Sequence, residues 1–322
     1  MIKTTHFFRL SALFLTSVLS LGCAAQNTAA QTGHVEFHSP YLAYANNLLP
    51  IEPAAFGMTA NVLEQIRLPA NNLHSQVAYV YDLDTGQTLY EKNSELVRPI
   101  ASITKLMMAM VVLDADLDLD EQLEITQDDI DRIKHTRSRL RVGSQLSRRE
   151  LLHLALMSSE NRAASALGRN YPGGLPAFVR AMNDKALSLG MRHSLFVEPT
   201  GLSSENLSSA PDLAKMLAAA ASYPLIQEFS TSQKQVVHPN QGQTLQYVNT
   251  NRLVANQQWS IQVSKTGFIN EAGRCLVLHT SLHGRNLAIV LLNAQGRYSG
   301  MGDAGRIRQA LEKQPTLLAA AP

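Results

Sequence analysis

Two residues three apart give this chain its first chemical reading. In "ASITK" Ser102 and Lys105 stand at the head of a long apolar run, and that spacing puts both side chains on one face of a helix. A serine hydroxyl is a weak nucleophile until a neighbouring base takes its proton. Lysine can be that base when burial disfavours its charged form, and "LMMAMVVL" supplies apolar surroundings. The helix start also offers backbone N–H groups to a developing oxyanion. Taken alone, the pair is more simply an N-cap serine followed by an ordinary lysine. Ser-x-x-Lys occurs once in the chain.

Two other short patterns bear on the same chemistry. "KTG" at Lys265 to Gly267 lies on a strand running into a hairpin. A lysine beside a hydroxyl suits a carboxylate, and a glycine lets a bound peptide come close to the strand. By itself the pattern is a strand ending in a turn. "SSEN" occurs twice, at Ser158 to Asn161 and at Ser203 to Asn206. The first copy follows a strong amphipathic helix and precedes the helical "RAASALGRNY", so it is a bend between packed helices that can aim side chains rigidly. The second sits in the polar loop "PTGLSSENLSS".

The elements that must position these residues are readable from periodicity. "QVAYVYDLDTGQTLYEKN" reads as a hairpin around Asp-Thr-Gly, with the ordered domain starting near Ser75. The run from Leu106 to Leu113 is apolar on all sides, the mark of a buried helix. "SRRELLHLALMSSEN" opens with a capping box at Ser147 and Glu150. "LPAFVRAMNDKALSLGM" and "APDLAKMLAAAASYP" are further helices, closed by Gly190 and Pro224. The period then becomes strand-like in "WSIQVSKTGF", "RCLVLHTSL" and "RNLAIVLLNA", and "DAGRIRQALEKQ" is a last helix. Strands from both ends around central helices imply an α+β class of fold, one sheet backed by a mainly helical lobe.

Bulk properties narrow the function classes. With 322 residues, 45 % hydrophobic and 17 % charged, the chain can bury a large core. A formal charge of +2 without clustered basic residues excludes nucleic acid as a partner. The densest basic stretch, "KHTRSRLRVGSQLSRRE", reads as a solvated face. At the N-terminus, Lys3 and Arg9 precede an apolar run from Leu10 to Leu21 and then small residues, the layout of a secretory signal at 1–25. An exported, periplasmic protein is expected. "LSLGC" also resembles a lipoprotein signal, with Ser20 where leucine is usual, so a lipid on Cys23 competes with cleavage after "CAA". Residues 26–72 read as a spacer, 73–313 as the catalytic domain and 314–322 as a tail. Cys275 reads as a small buried hydrophobe.

Ser-x-x-Lys, Ser-x-Asn and Lys-Thr-Gly in that order resemble the penicillin-binding protein and serine β-lactamase superfamily. The stretches "LVRPIASITKLMMAMVVLDA", "LHLALMSSENRAA", "FVEPTGLS" and "VSKTGFINEAGRCLV" are similar to the low-molecular-mass D-alanyl-D-alanine peptidases, their endopeptidase branch above all. The resemblance runs from about Ser75 to about Lys313. It implies a β-lactamase/DD-peptidase-like fold with an antiparallel sheet, and a cofactor-free, metal-free serine peptidase acting on peptidoglycan cross-links and inhibited by β-lactams. On that likeness Ser102 is the acylated nucleophile, Lys105 its base, and Ser159 a proton relay to the leaving amine. Asn161 orients substrate and Lys105, while Lys265 and Thr266 hold the substrate's carboxylate or peptide end. Gly267 lets the peptide lie against the strand, and the N–H groups of Ser102 and Phe268 form the oxyanion hole. Phe268 departs from the polar residue frequent there in the superfamily, which bears on substrate preference. Only nine residues follow Lys313, too few for the β-rich domain and anchoring helix of many relatives.

Other readings have discriminating features. A D-alanyl-D-alanine carboxypeptidase shares every motif. A β-lactamase needs a dedicated base for the deacylating water, and neither Glu160 nor Glu198, the latter without an evident partner, is a convincing one. A peptidoglycan or β-lactam sensor would have no need of an intact Ser102. "HVEFH" pairs His34 and His38 around Glu36 in the wrong order for a metal peptidase.

Overall fold

The computed structural model describes residues 73–240 and 243–314. The expected signal, Cys23, the spacer with His34 and His38, and the tail beyond Gln314 lie outside the described residues.

Strands β1 (Ser75–Asp82) and β2 (Gln87–Lys92) form the first hairpin, and β3 (Ser260–Ile269), β4 (Gly273–Leu282) and β5 (Arg285–Ala294) return at the other end of the chain. They make one antiparallel sheet in the order β2-β1-β5-β4-β3, with Ser75 opposite Ala294 and Asp82 opposite Leu287. Alternate residues of β1 go to opposite faces. Val77 and Tyr79 join the large core beside the helices, while Ala78 and Val80 join a second cluster with Ile307 and Leu311. A sheet covered on both faces explains why these strands read as nearly continuous apolar runs.

Between the two hairpins lie helices α1 (Thr104–Asp114), α2 (Arg148–Met157), α3 (Asn161–Arg169), α4 (Gly174–Ser188), α5 (Ala210–Ala220) and α6 (Pro224–Thr231), and α7 (Ser299–Glu312) follows the sheet. In α1 every residue from Thr104 to Val112 is buried, as its lack of a polar face requires. The capping box at Ser147 and Glu150 starts α2, and Gly190, with φ of 69°, closes α4. The buried Asp303 of α7 accepts from the backbone N–H and hydroxyl of Ser75, tying the last helix to the first strand.

Three expectations need correction, and one element escapes the sequence reading. Pro224 closes nothing: α5 ends at Ala220 and Pro224 is the first residue of α6, where its fixed φ suits a helix start. Lys234–Asn240 and Gln243–Val248 pair as two further strands that read poorly in sequence because they are mostly exposed and include Pro239. The last helix begins at Ser299, ahead of Asp303. The basic stretch is not uniformly solvated either: Arg148 is buried and its guanidinium grips Glu121 at 2.5 Å.

Candidate active site

Ser102 sits in a 3₁₀ turn, Ala101–Ile103, that leads into α1. Ala101 holds a left-handed φ of 49°, a conformation that costs a non-glycine residue on the order of 1–3 kcal/mol. Two glycines press on the turn from opposite elements. A Cβ at Gly201 would lie 2.1 Å from the Ala101 carbonyl oxygen, and one at Gly267 would lie 2.9 Å from the Ser102 nitrogen. Glycine at these places is what lets the loop after Glu198 and strand β3 reach Ser102.

One turn on, Lys105 is completely buried and its Nζ meets three acceptors. These are Ser102 Oγ at 3.0 Å, Asn161 Oδ1 at 2.8 Å and the Thr200 carbonyl at 2.5 Å. An ammonium has three N–H groups, so the charged form is fully satisfied; the neutral amine has a lone pair free for the serine proton. Burial lowers the Lys105 pKa to about 8, with the carboxylates of Glu198 and Glu160 opposing the shift. Lysine is thus brought within reach of neutrality at working pH.

The bend between α2 and α3 supplies two more groups. Ser159 is left-handed, with φ of 62°, and Glu160 caps α3 by accepting from the Arg162 N–H. The bend aims Ser159 Oγ at the Nζ of Lys265, 2.8 Å away, and Asn161 at Lys105. Lys265 belongs to the alternate set of β3 that includes the buried Val263 and Ile269, and it is only 1 % exposed. Burial, and then the charge of Lys105, push its pKa well below the ordinary lysine value. Its ammonium faces Ser159, so any action on a ligand carboxylate is through its field and its hydrogen-bonded neighbours. Thr266 Oγ1 donates to Thr250 Oγ1 at 2.6 Å at the cleft wall.

The first "SSEN" copy therefore delivers two side chains to Ser102 and the lysines, and the second copy is not idle. Its Asn206 is fully buried and donates to Glu198 Oε1 at 2.7 Å and to Thr104 Oγ1 at 3.2 Å. Glu198, which shows no partner in sequence, accepts in addition from the N–H groups of Thr200, Gly201 and Ser203. This folds the loop so that the Thr200 carbonyl points at Lys105. No sequence pattern gives that away, since the contacts are between residues of one polar loop and a helix about a hundred positions earlier.

A cavity of about 500 Å³ opens over Ser102, Ser159, Asn161, Thr266 and Gly267. β3 is an edge strand; its Ser264 N–H is taken by Ser230 Oγ of α6, and the stretch that follows, Thr266 to Phe268, borders the cavity where an extended peptide can lie. Phe268, half exposed, carries the Arg274 guanidinium 4.6 Å over its ring, and Arg252 lies 4.9 Å over the ring of Tyr298. Arg252, Arg274 and Arg297 all line the cavity, making it suitable for an anionic ligand. None of the three stands out in sequence, though the register that sets Arg274 opposite Phe268 follows from the short "INEAG" turn. Cys275 also lines the cavity, but burial raises its thiol to about 11, leaving it an unreactive filler.

Comparison with known proteins agrees with this geometry. Residues 64–296 match the family model described as D-alanyl-D-alanine carboxypeptidase. The chain is 53 % identical over 243 residues to a D-alanyl-D-alanine endopeptidase of Pseudomonas aeruginosa, covering 74 % of this chain and 78 % of that one. It is 46 % identical over 265 residues to a D-alanyl-D-alanine endopeptidase of Escherichia coli, covering 82 % and 84 %. Among solved structures, penicillin-binding protein D2 of Listeria monocytogenes in its cefotaxime-bound form superposes with a TM-score of 0.65 at 28 % identity, covering 76 % of this chain and 99 % of the other.

Proposed function

The chain belongs to the D-alanyl-D-alanine carboxypeptidase family of serine peptidases, and from that membership and the site we infer an endopeptidase that hydrolyses D-alanyl cross-links of peptidoglycan. The single observation that carries the chemistry is the buried Lys105 Nζ at 3.0 Å from Ser102 Oγ. Neutral Lys105 takes the hydroxyl proton as Oγ attacks the D-alanyl carbonyl carbon. Negative charge on the carbonyl oxygen falls to the N–H groups of Ser102 and Phe268. The C–N bond breaks when the leaving amine receives a proton through Ser159, whose oxygen is held by Lys265. Water then attacks the ester on Ser102 by the reverse proton path and frees the enzyme.

Substrate binding sharpens the division of labour between the lysines. A carboxylate in the arginine-lined cavity favours a charged Lys265, and that charge in turn favours a neutral Lys105. β-Lactams enter the same route as far as the acyl-enzyme, in keeping with the cefotaxime complex of the Listeria relative. A β-lactamase reading is disfavoured because neither glutamate beside Lys105 is placed to activate water: Glu198 is engaged by four residues of its own loop and Glu160 caps α3.

Carboxypeptidase action remains the second reading, since the family model bears that description. The two endopeptidase relatives at 46–53 % identity favour cross-bridge cleavage. Incubation with cross-linked muropeptides separates the two by product mass. We place the protein outside the inner membrane, where its substrate lies, either released by cleavage after "CAA" or held by a lipid on Cys23. The mass of the mature N-terminus distinguishes a free from an acylated start.

A further inference from the structure

Thr136 lies in the polar stretch that reads in sequence as solvated surface, and its hydroxyl stands between two groups. Oγ1 donates to Asp131 Oδ2 at 2.7 Å and accepts from Asn161 Nδ2 at 3.1 Å. Chemistry sets both directions. A carboxylate only accepts, so the one hydroxyl proton goes to Asp131, and the remaining lone pairs can take only an N–H from Asn161. The amide is thereby turned with Nδ2 toward Thr136 and Oδ1 toward Lys105 Nζ at 2.8 Å.

We propose that Thr136 is a positioning residue that fixes the amide of Asn161, so that Lys105 always meets an acceptor there and never a donor. The proposal rests on the reading of Lys105 as the base. The loop is built to hold Thr136 in place. Asp131 accepts from the N–H groups of Ile133 and Lys134 through Oδ1 and from that of Thr136 through Oδ2. Burial alone would raise the Asp131 pKa, but the bonds from Lys134, Thr136 and Ile133 outweigh it and hold the carboxyl below its ordinary value. It therefore stays an acceptor through the working range. The same loop is tied to the turn that follows β3 by the pairing of Lys134 with Glu271 at 2.5 Å.

Removal of the hydroxyl leaves the amide free to turn over. Lys105 then loses one charge-assisted hydrogen bond, gives up its proton at lower pH, and is positioned by the Ser102 hydroxyl and the Thr200 carbonyl alone. The other charges around Lys105 are Glu198, Glu160 and Lys265, and Thr136→Val alters none of them.

The test is the rate of acylation by a fluorescent penicillin from acid to alkaline pH for wild type, Thr136→Val and Thr136→Ser, with thermal melting of each. Thr136 is exposed, so the variants keep the fold. Thr136→Val is expected to slow plateau acylation about tenfold and to move the rising limb about one pH unit downward, the worth of one charge-assisted hydrogen bond. Thr136→Ser retains the hydroxyl and restores both. A limb that Thr136→Val leaves in place, or a loss that Thr136→Ser does not restore, overturns the inference alone. A wild-type rate with no rising limb overturns the base reading of Lys105 and this inference with it.

Discussion

The Nζ of Lys265 donates to Oγ of Ser159 at 2.8 Å across 106 positions of sequence. That bond joins the strand bearing Lys-Thr-Gly to the bend bearing Ser-x-Asn, and in the proposed mechanism it makes the second lysine a partner of the proton relay. Ser159 lines the cavity and its hydroxyl accepts from Lys265, so under the proposed mechanism its loss is felt in chemistry more than in binding. Ser159→Ala should lower kcat by about 10²-fold or more with little change in KM, the size expected for a general acid–base group. Steady-state hydrolysis of a D-alanyl peptide reads this directly, and an unchanged kcat would remove Ser159 from the mechanism.

Lys105 sets the pH dependence. In the proposed mechanism its neutral form is the base, and with a pKa of about 8 that form is scarce in acid and dominant in alkali. Acylation by penicillin should therefore rise with pH through about 8, by more than about tenfold from pH 6 to pH 9. Lys105→Arg keeps a permanent charge and should abolish acylation at every pH. A flat wild-type profile would contradict the assignment.

Glu198 and Asn206 hold the loop that presents Thr200 to Lys105. Asn206→Ala leaves Glu198 Oε1 and the Val197 N–H short of a partner in the interior. Stability should fall by about 2–3 kcal/mol, the cost of stranding buried polar groups. Urea unfolding measures it, and a loss under about 0.5 kcal/mol would mean that the loop is held by other contacts. Acylation should slow in parallel, because the Thr200 carbonyl shares the nitrogen of Lys105.

The two glycines at the Ser102 turn should differ in kind. Gly201→Ala adds a Cβ against backbone and does so at a left-handed φ of 79°, so both folding and acylation should suffer. Gly267→Ala meets the Ser102 nitrogen at 2.9 Å and the Ala101 side chain at 3.0 Å, a smaller overlap at the mouth of the oxyanion site. It should cost acylation more than melting temperature. Equal, small effects at both sites would mean that the turn is free to shift.

Much of this site is readable in the chain because its residues sit in patterns with local causes. Ser102 and Lys105 share one helical face, the bend at Ser158 to Asn161 lies between the end of α2, whose start is marked by a capping box, and α3, capped by Glu160, and β3 alternates. Thr136, Arg252, Arg274 and the Glu198–Asn206 pair were not readable, since each matters only through a partner set by tertiary structure. The same holds for α6 and the paired strands Lys234–Asn240 and Gln243–Val248. A helix of eight residues has too few turns to declare a period, and an exposed strand pair has little apolar alternation to show. Phe268 illustrates the middle case: its place after Lys-Thr-Gly was evident, its stacking under Arg274 was not.

The central claim is cross-bridge hydrolysis through Ser102, and mass spectrometry of muropeptides after incubation with cross-linked peptidoglycan tests it most directly. The wild-type protein should convert cross-linked dimers to tetrapeptide monomers, and Ser102→Ala should leave the dimers intact. Dimers that persist while only terminal D-alanine is lost would contradict the endopeptidase assignment, and cleavage by Ser102→Ala would contradict the mechanism itself.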